Sequence, residues 1–214
     1  EPMLARQLER VCRAKSLDRV VVATSDGESD DPIVELCEVL RVDCHRGLLN
    51  DVLARFAIAA EAYPRVEHVV RLTADCPLVD PELIEAVVAF HIDGGYDYSS
   101  NTLTPTWPDG LDVEVFRTEV LRQAQREATT AYDREHVTPF MQRSDRFRLG
   151  DFRAERDLSA MRWTVDEPED LALVERIYAE LLPENGEFTT SDVLALLDRD
   201  PQIQKINARV KHRT

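Results

Sequence analysis

Val69-Val70-Arg71-Leu72-Thr73-Ala74-Asp75-Cys76-Pro77-Leu78-Val79-Asp80 is the stretch on which the fold turns. A short β-branched apolar run follows a polar approach, Glu67-His68, and suits a buried parallel strand. The run gives way to a small residue, an acid and a proline. Asp80 then stands where a helix N-cap belongs, with Pro81 at the first helical position. This strand–loop–helix order places Asp75 at or just past the carboxyl end of a strand, the edge at which open α/β sheets bind ligands. An acid in that place also serves as an ordinary cap or turn residue, so the stretch alone leaves both roles open.

The flanking sequence repeats the same pattern. Residues 2–15 form an amphipathic helix with Leu4, Leu8, Val11 and Ala14 on one face. Residues 19–24 read as a strand with the loop Ser25-Asp26-Gly27 at its end. Asp31-Pro32 opens a helix to about residue 40, and a short strand at 42–44 leads into His45-Arg46-Gly47. A helix follows over 50–63. Beyond the central stretch, a helix runs from 81 to about 91 and is closed by Gly94-Gly95, and residues 96–100 resume as a strand. The first hundred residues alternate helix and strand, which predicts a parallel sheet with crossover helices on both faces.

After Ser100 the texture changes. Residues 101–110 (NTLTPTWPDG) form a loop with two prolines and a Pro-Asp-Gly turn. Residues 111–117 (LDVEVFR) alternate with period two, as a strand does. Helices are expected over 118–127 and 133–142, and strands over 147–152 and 161–165. Two more helices are expected, over 167–182 and 190–197. A basic tail with Lys205, Arg209, Lys211 and Arg213 is expected to be mobile. The whole reads as one domain, 1–214, with 101–152 as an excursion from the sheet.

Composition narrows the function. In 214 residues, Lys and Arg number 26 against 41 Asp and Glu, a net charge of −15. So acidic a chain is unsuited to nucleic acid or an anionic membrane, both of which require a basic face. No apolar run approaches the length of a membrane span, and no signal peptide is evident. Cys12, Cys37, Cys44 and Cys76 form no C-x-x-C pair, as for reduced, buried thiols in a cytoplasmic protein. The motifs of P-loop, dinucleotide-binding and nucleophile-elbow enzymes are absent. The scattered histidines do not suggest a zinc site.

Four constellations remain. Asp75 and Asp166 each follow an expected strand and precede a proline-containing helix start. Converging from neighbouring strand ends, they would suit Mg2+, which takes one or two carboxylates and fills its shell with water and phosphate oxygens. Asp166 is equally placed to be the N-cap of the helix at 167. Asp109, with Asp112 and Glu114 beyond it, forms the second group. On a strand the latter two share a face and could bind sugar hydroxyls or assist a metal, or simply be solvated. Arg134 and His136, in a first helical turn, could meet an anion or form local ion pairs. Arg46, at a strand end, could reach a phosphate or lie idle on the surface.

Taken together, these segments resemble a known family. Arg46-Gly47 with Asn50-Asp51-Val52-Leu53-Ala54-Arg55-Phe56 is similar to its R-G-x-x-x-D-V-L-x-R-[FY]. Residues 71–80 (RLTADCPLVD), Ser100-Asn101-Thr102-Leu103, 108–116 (PDGLDVEVF), 134–139 (REHVTP) and 162–171 (RWTVDEPEDL) match in order. The family is the spore-coat-polysaccharide type of cytidylyltransferase, related to the acylneuraminate and KDO enzymes. The resemblance implies a nucleotide-diphospho-sugar transferase fold, three-layer and Rossmann-like, and the reaction CTP + sugar → CMP-sugar + pyrophosphate.

It also implies Mg2+ on Asp75 and Asp166, and substrate contacts from Arg46, Arg71, Asn101, Asp109, Asp112, Glu114, Arg134 and His136. A homodimer through residues 111–152 is a further implication. Family members open with a strand and a nucleotide-gripping loop, and Glu1-Pro2-Met3-Leu4 looks like the segment just after that loop. Two rivals stand beside this reading. One is a transferase using another nucleotide or a sugar 1-phosphate. The other is a non-catalytic domain of a polysaccharide assembly system.

Overall fold

The computed structural model describes residues 1–210. In chain order its elements are α1 (Met3–Val11), β1 (Val21–Ser25), α2 (Asp31–Leu40), β2 (Asp43–Gly47), α3 (Val52–Glu61), β3 (His68–Arg71) and α4 (Pro81–Gly94). There follow β4 (Tyr98–Ser100), β5 (Glu114–Arg117), α5 (Thr118–Glu127), α6 (Ala131–His136), α7 (Pro139–Arg143), β6 (Leu149–Asp151), α8 (Pro168–Leu181) and α9 (Thr190–Arg199). Lys211 and Arg213, the far end of the basic tail, lie outside the described residues.

Local chemistry sets the helix ends. Asp80 accepts from the Glu82 amide at 2.9 Å and Pro81 fills the first turn of α4, while Gly95 ends it at φ 61°. Asp51, rather than Asn50, caps α3 through the Ala54 amide at 2.9 Å. At α8 the N-cap is Glu167, in a reciprocal capping box with Asp170. Asp166 is therefore not the cap of this helix.

The strands form two pieces. β1 pairs in parallel with β2, and the second piece has the order β3-β5-β4-β6. β5 runs antiparallel to both neighbours, and β4 and β6 are parallel. The alternating first half thus builds parallel strands, but the strand after the 101–110 loop is threaded between β3 and β4 in the opposite sense.

Two apolar cores lie on opposite faces. One gathers Val113 and Val115 with Val87, Trp163, Leu173 and Ile177, and Val70 packs on it. The other gathers Phe116 and Tyr98 with Leu53, Leu121 and Met141, and Val69 packs on it. Neighbours along β3 and β5 fall into different cores, as the period of two requires. Helices on both faces of a mixed sheet make a three-layer α/β/α arrangement.

Some expected elements differ. Residues 161–165 form no strand; only an isolated parallel bridge joins Asp109 to Arg162. β5 begins at Glu114, so Asp112 lies in the approach to the strand and does not share a strand face with Glu114. The helix expected over 133–142 is broken at Val137, whose φ is 71°. β2 extends to Gly47, which puts Arg46 on the strand itself. Cys37 and Cys76 are buried as expected, but Cys12 is exposed; none of the four is in a disulfide.

Candidate active site

A cleft of about 390 Å3 opens where β3 ends and β5 begins. It is lined by Arg71, Thr73, Asp75, Cys76, Asp109, Asp112, His136, Arg162, Thr164 and Asp166. Because β5 is antiparallel to β3 and β4, its amino end lies at the same edge as their carboxyl ends. The loop before β5 therefore delivers Asp109 and Asp112 to the edge that the β3–α4 loop supplies with Asp75.

The β3–α4 loop is clamped by its carbonyls. Gln7 Nε2 donates to Thr73 O at 2.7 Å, and the Val165 amide donates to Asp75 O at 2.9 Å. The Tyr178 hydroxyl donates to Pro77 O at 2.7 Å, and Arg10 Nε donates to Val79 O at 2.7 Å. Alternate carbonyls are held from α1, from α8 and from the segment before α8. The Val165–Asp75 bond also brings the backbones of Asp75 and Asp166 side by side.

Beside this loop Arg162 is buried, and its guanidinium meets three carboxylates. It donates to Asp109 at 3.0 Å, to Asp166 at 2.7 Å and to Asp170 at 2.9–3.2 Å. Burial pushes the Asp170 carboxyl up, but bonds from Arg162, from Asn207 Nδ2 and from the Asp166 and Glu167 amides outweigh it and hold it below its ordinary value. Gly110 makes the close approach possible. Its φ is 104°, and a Cβ there would lie 2.3 Å from the Thr164 amide nitrogen.

Asp112 is pushed up to about 7, first by burial and then by the neighbouring carboxylates of Asp109, Glu114 and Asp75. Among the described residues no group of three or more His, Cys, Asp or Glu forms a metal cage. The donors present are nevertheless hard oxygens, crowded enough to disfavour ionisation of Asp112. Such a set fits a cation like Mg2+, which needs only one or two protein carboxylates.

The structure thus brings together Arg71, Asp75, Asp109, Asp112, His136 and Asp166 from the sequence-derived set. It does not bring the other four to the cleft wall; their polar atoms bond elsewhere in the chain. Arg46 donates to Ser25 O, Gly27 O and Asp31, tying down the loop after β1. Asn101 is buried and spans the next loop, donating to Leu111 O and accepting from the Val113 amide, each at 2.8 Å. Arg134 binds Asp51 and Gln125 O. Glu114 is buried among Arg71, Tyr98 and Thr138.

Sequence reasoning missed Arg162 as a site residue, although its spacing of four and eight residues from Asp166 and Asp170 was a signal. Gln7 and Arg10 gave none, since an amphipathic helix explained them. His68 and His91, far apart in the chain, meet outside the cleft with ring nitrogens 3.1 Å apart.

Mixed sheet, two covering layers and an acidic cleft at one strand edge define a nucleotide-diphospho-sugar transferase-like fold. The family model described as Cytidylyltransferase matches residues 1–191, and the chain belongs to that family, whose members are nucleotidyltransferases. It is 31% identical over 197 residues to the spore coat polysaccharide biosynthesis protein SpsF of Bacillus subtilis, covering 87% of this chain and 78% of that one. It is 35% identical over 131 residues to a 3-deoxy-manno-octulosonate cytidylyltransferase of Anaeromyxobacter dehalogenans, covering 59% of this chain and 49% of that one. The solved structure of a cytidylyltransferase from Leptospira borgpetersenii superposes with a TM-score of 0.89 at 28% identity, covering 99% of this chain and 87% of that one.

Proposed function

We propose that this chain transfers CMP from CTP to a sugar, acidic or otherwise modified, releasing pyrophosphate in the synthesis of a surface polysaccharide or glycan. The observation that carries the reading is the convergence of Asp75, Asp109, Asp112 and Asp166 on one cleft at the strand edge of a cytidylyltransferase fold.

Displacement at a phosphorus requires placement and charge neutralisation rather than covalent help from the protein. Asp75 and Asp166 would hold Mg2+, which, when bound, supplies the positive charge that an anionic nucleotide requires. The clamped β3–α4 loop fixes the Asp75 backbone, and Arg162 fixes the Asp166 carboxylate, so little of the pair has to be ordered when substrate arrives. Arg71 and His136 offer nitrogen donors on the same cleft. The protein works as a homodimer through residues 111–152, in the cytoplasm where CTP is available.

Thermal unfolding of the full chain with CTP, UTP, ATP or GTP, each with and without Mg2+, tests the reading. A ligand that binds only the folded state raises its stability, by about 2.7 kcal/mol at a hundredfold excess over Kd. An Mg2+-dependent rise in Tm with CTP alone is the expected result. A rise with UTP instead would change the nucleotide, and no rise with any of the four would favour a non-catalytic binding domain. Sedimentation tests the dimer.

A further inference from the structure

Arg71 and His136 come to the cleft from distant parts of the chain, one from the end of β3 and one from the end of α6. Arg71 is bonded to a buried carboxylate to which Thr138, two residues past His136, is bonded as well. Glu114 is 5% exposed and stands directly opposite Arg71 in the β3–β5 register. Arg71 donates to Glu114 Oε2. The hydroxyls of Tyr98 and Thr138 each donate to Oε1 at 2.6 Å, and Gln142 donates to the Tyr98 hydroxyl at 2.9 Å. One side chain therefore ties β3, β4 and β5 to the turn between α6 and α7.

The tie to His136 runs through a strained backbone. Val137 has φ 71° and ψ −56°, and the Thr138 amide donates to His136 O at 2.8 Å. This is the γ-turn of positive φ, rare for any residue and a true outlier for a β-branched one. Such conformations persist only where the surroundings over-determine them. Here the Val137 side chain is fully buried in the second core, and the next residue is fastened to Glu114. The turn stops α6 at His136, three residues before Pro139 starts α7.

We propose that Glu114 is a positioning residue of the cleft. It sets the Arg71 guanidinium directly and, through Thr138 and the turn at Val137, the His136 imidazole. The two side chains then line the cleft from backbones held at a fixed spacing. The use of that spacing rests on reading the cleft as the substrate site, but the arrangement itself is testable without any substrate.

The test is NMR of the full 15N-labelled chain. The His136 ring signals are assigned from their loss in His136→Gln, and the Arg71 Nη–H signals from their loss in Arg71→Lys. Thr138→Ser keeps the hydroxyl and should reproduce the wild-type His136 signals. Thr138→Val should displace them while leaving the Arg71 signals in place. Glu114→Gln should displace the His136 signals and abolish the Arg71 Nη–H signals by exchange with water.

Thermal melts show whether each variant is folded; if Glu114→Gln is not, the contrast of Thr138→Val with Thr138→Ser decides. A folded Thr138→Val protein whose His136 signals coincide with wild type would overturn the proposal. Turnover and nucleotide binding play no part in the readout, so a failed transferase reading and a failed positioning role give different results.

Discussion

The Arg162 guanidinium holds the Asp166 carboxylate at 2.7 Å, and Arg162 is itself buried beneath the cleft floor. The same nitrogen lies 2.9 Å from Asp170, the fully buried first-turn acid of α8. A charge needed at the surface of the cleft is thus fixed through a second charge pair underneath it.

Asp75→Ala and Asp166→Ala should each lower CMP transfer by about a hundredfold or more, the scale of losing a preorganised charged group at a reacting centre. Neither should unfold the protein. Asp166 contributes only one of the carboxylates on Arg162, and Asp75 is held through its backbone carbonyl. Steady-state rates with circular dichroism check both points, and wild-type rates in either variant would remove it from the site.

Asp170→Ala should act on stability instead. It leaves Arg162 buried without its principal partner, and breaking a buried pair from one side costs about 3–5 kcal/mol. The urea midpoint should fall with little change in slope. A midpoint within error of wild type would show that Asp109 and Asp166 suffice for Arg162.

Gly110→Ala should be poorly tolerated on two counts. The backbone is at φ 104°, and the new Cβ would press on the Thr164 amide and the Trp163 carbonyl carbon, which are backbone atoms and cannot swing aside. Both stability and turnover should drop, since the clash separates Asp109 from Arg162. A crystal structure of the variant with the Asp109–Arg162 bond intact would contradict this.

Arg10→Met removes the donor to Val79 O and the guanidinium packed 4.4 Å over the Phe188 ring. An unsatisfied buried carbonyl costs about 1–3 kcal/mol. Turnover should fall as well, because the same loop carries Asp75. Stability lost with turnover intact would confine Arg10 to the core.

Stability should decline on mild acidification because of His91. Burial, then the nearby His68 and Arg117, lower it to about 4 from an ordinary 6.5. The unfolded chain therefore takes up this proton first. The contribution is complete above pH 6.5, is lost as pH falls from 6.5 to about 4, and is constant below. The loss comes to roughly 3 kcal/mol for a group this buried. His68 is lowered in the same sense, by burial and then Arg117. Urea unfolding across this range, for wild type and His91→Gln, measures it: the variant should show a shallower decline, and parallel curves would refute the assignment.

The helix and strand pattern of the first hundred residues, the cap at Asp80, the closing glycine at 95 and the acid at 75 were all legible in the sequence. Each rests on neighbours within a few residues, where periodicity and capping chemistry act. The break near Val137 was partly legible, since Pro139 cannot continue a helix, but the positive φ that turns the chain at Val137 depends on Glu114 and the second core. The segment 161–165 alternates like a strand, yet it is drawn instead to Asp75 O, to Asp109 and to Asp170 by hydrogen bonds that form no ladder.

By itself the sequence determined the α/β class, the strand-edge position of Asp75 and, through its ordered motifs, a resemblance to the family to which the chain belongs. Only the tertiary structure decided which polar residues face the cleft and which are spent inside. Arg46, Asn101, Glu114 and Arg134 are as polar on paper as Arg71 and His136, but the fold sets them off the cleft lining and bonds them there, Arg134 to Asp51, 83 residues away. A side chain's role follows from where folding places it, and that placement is set by long-range packing.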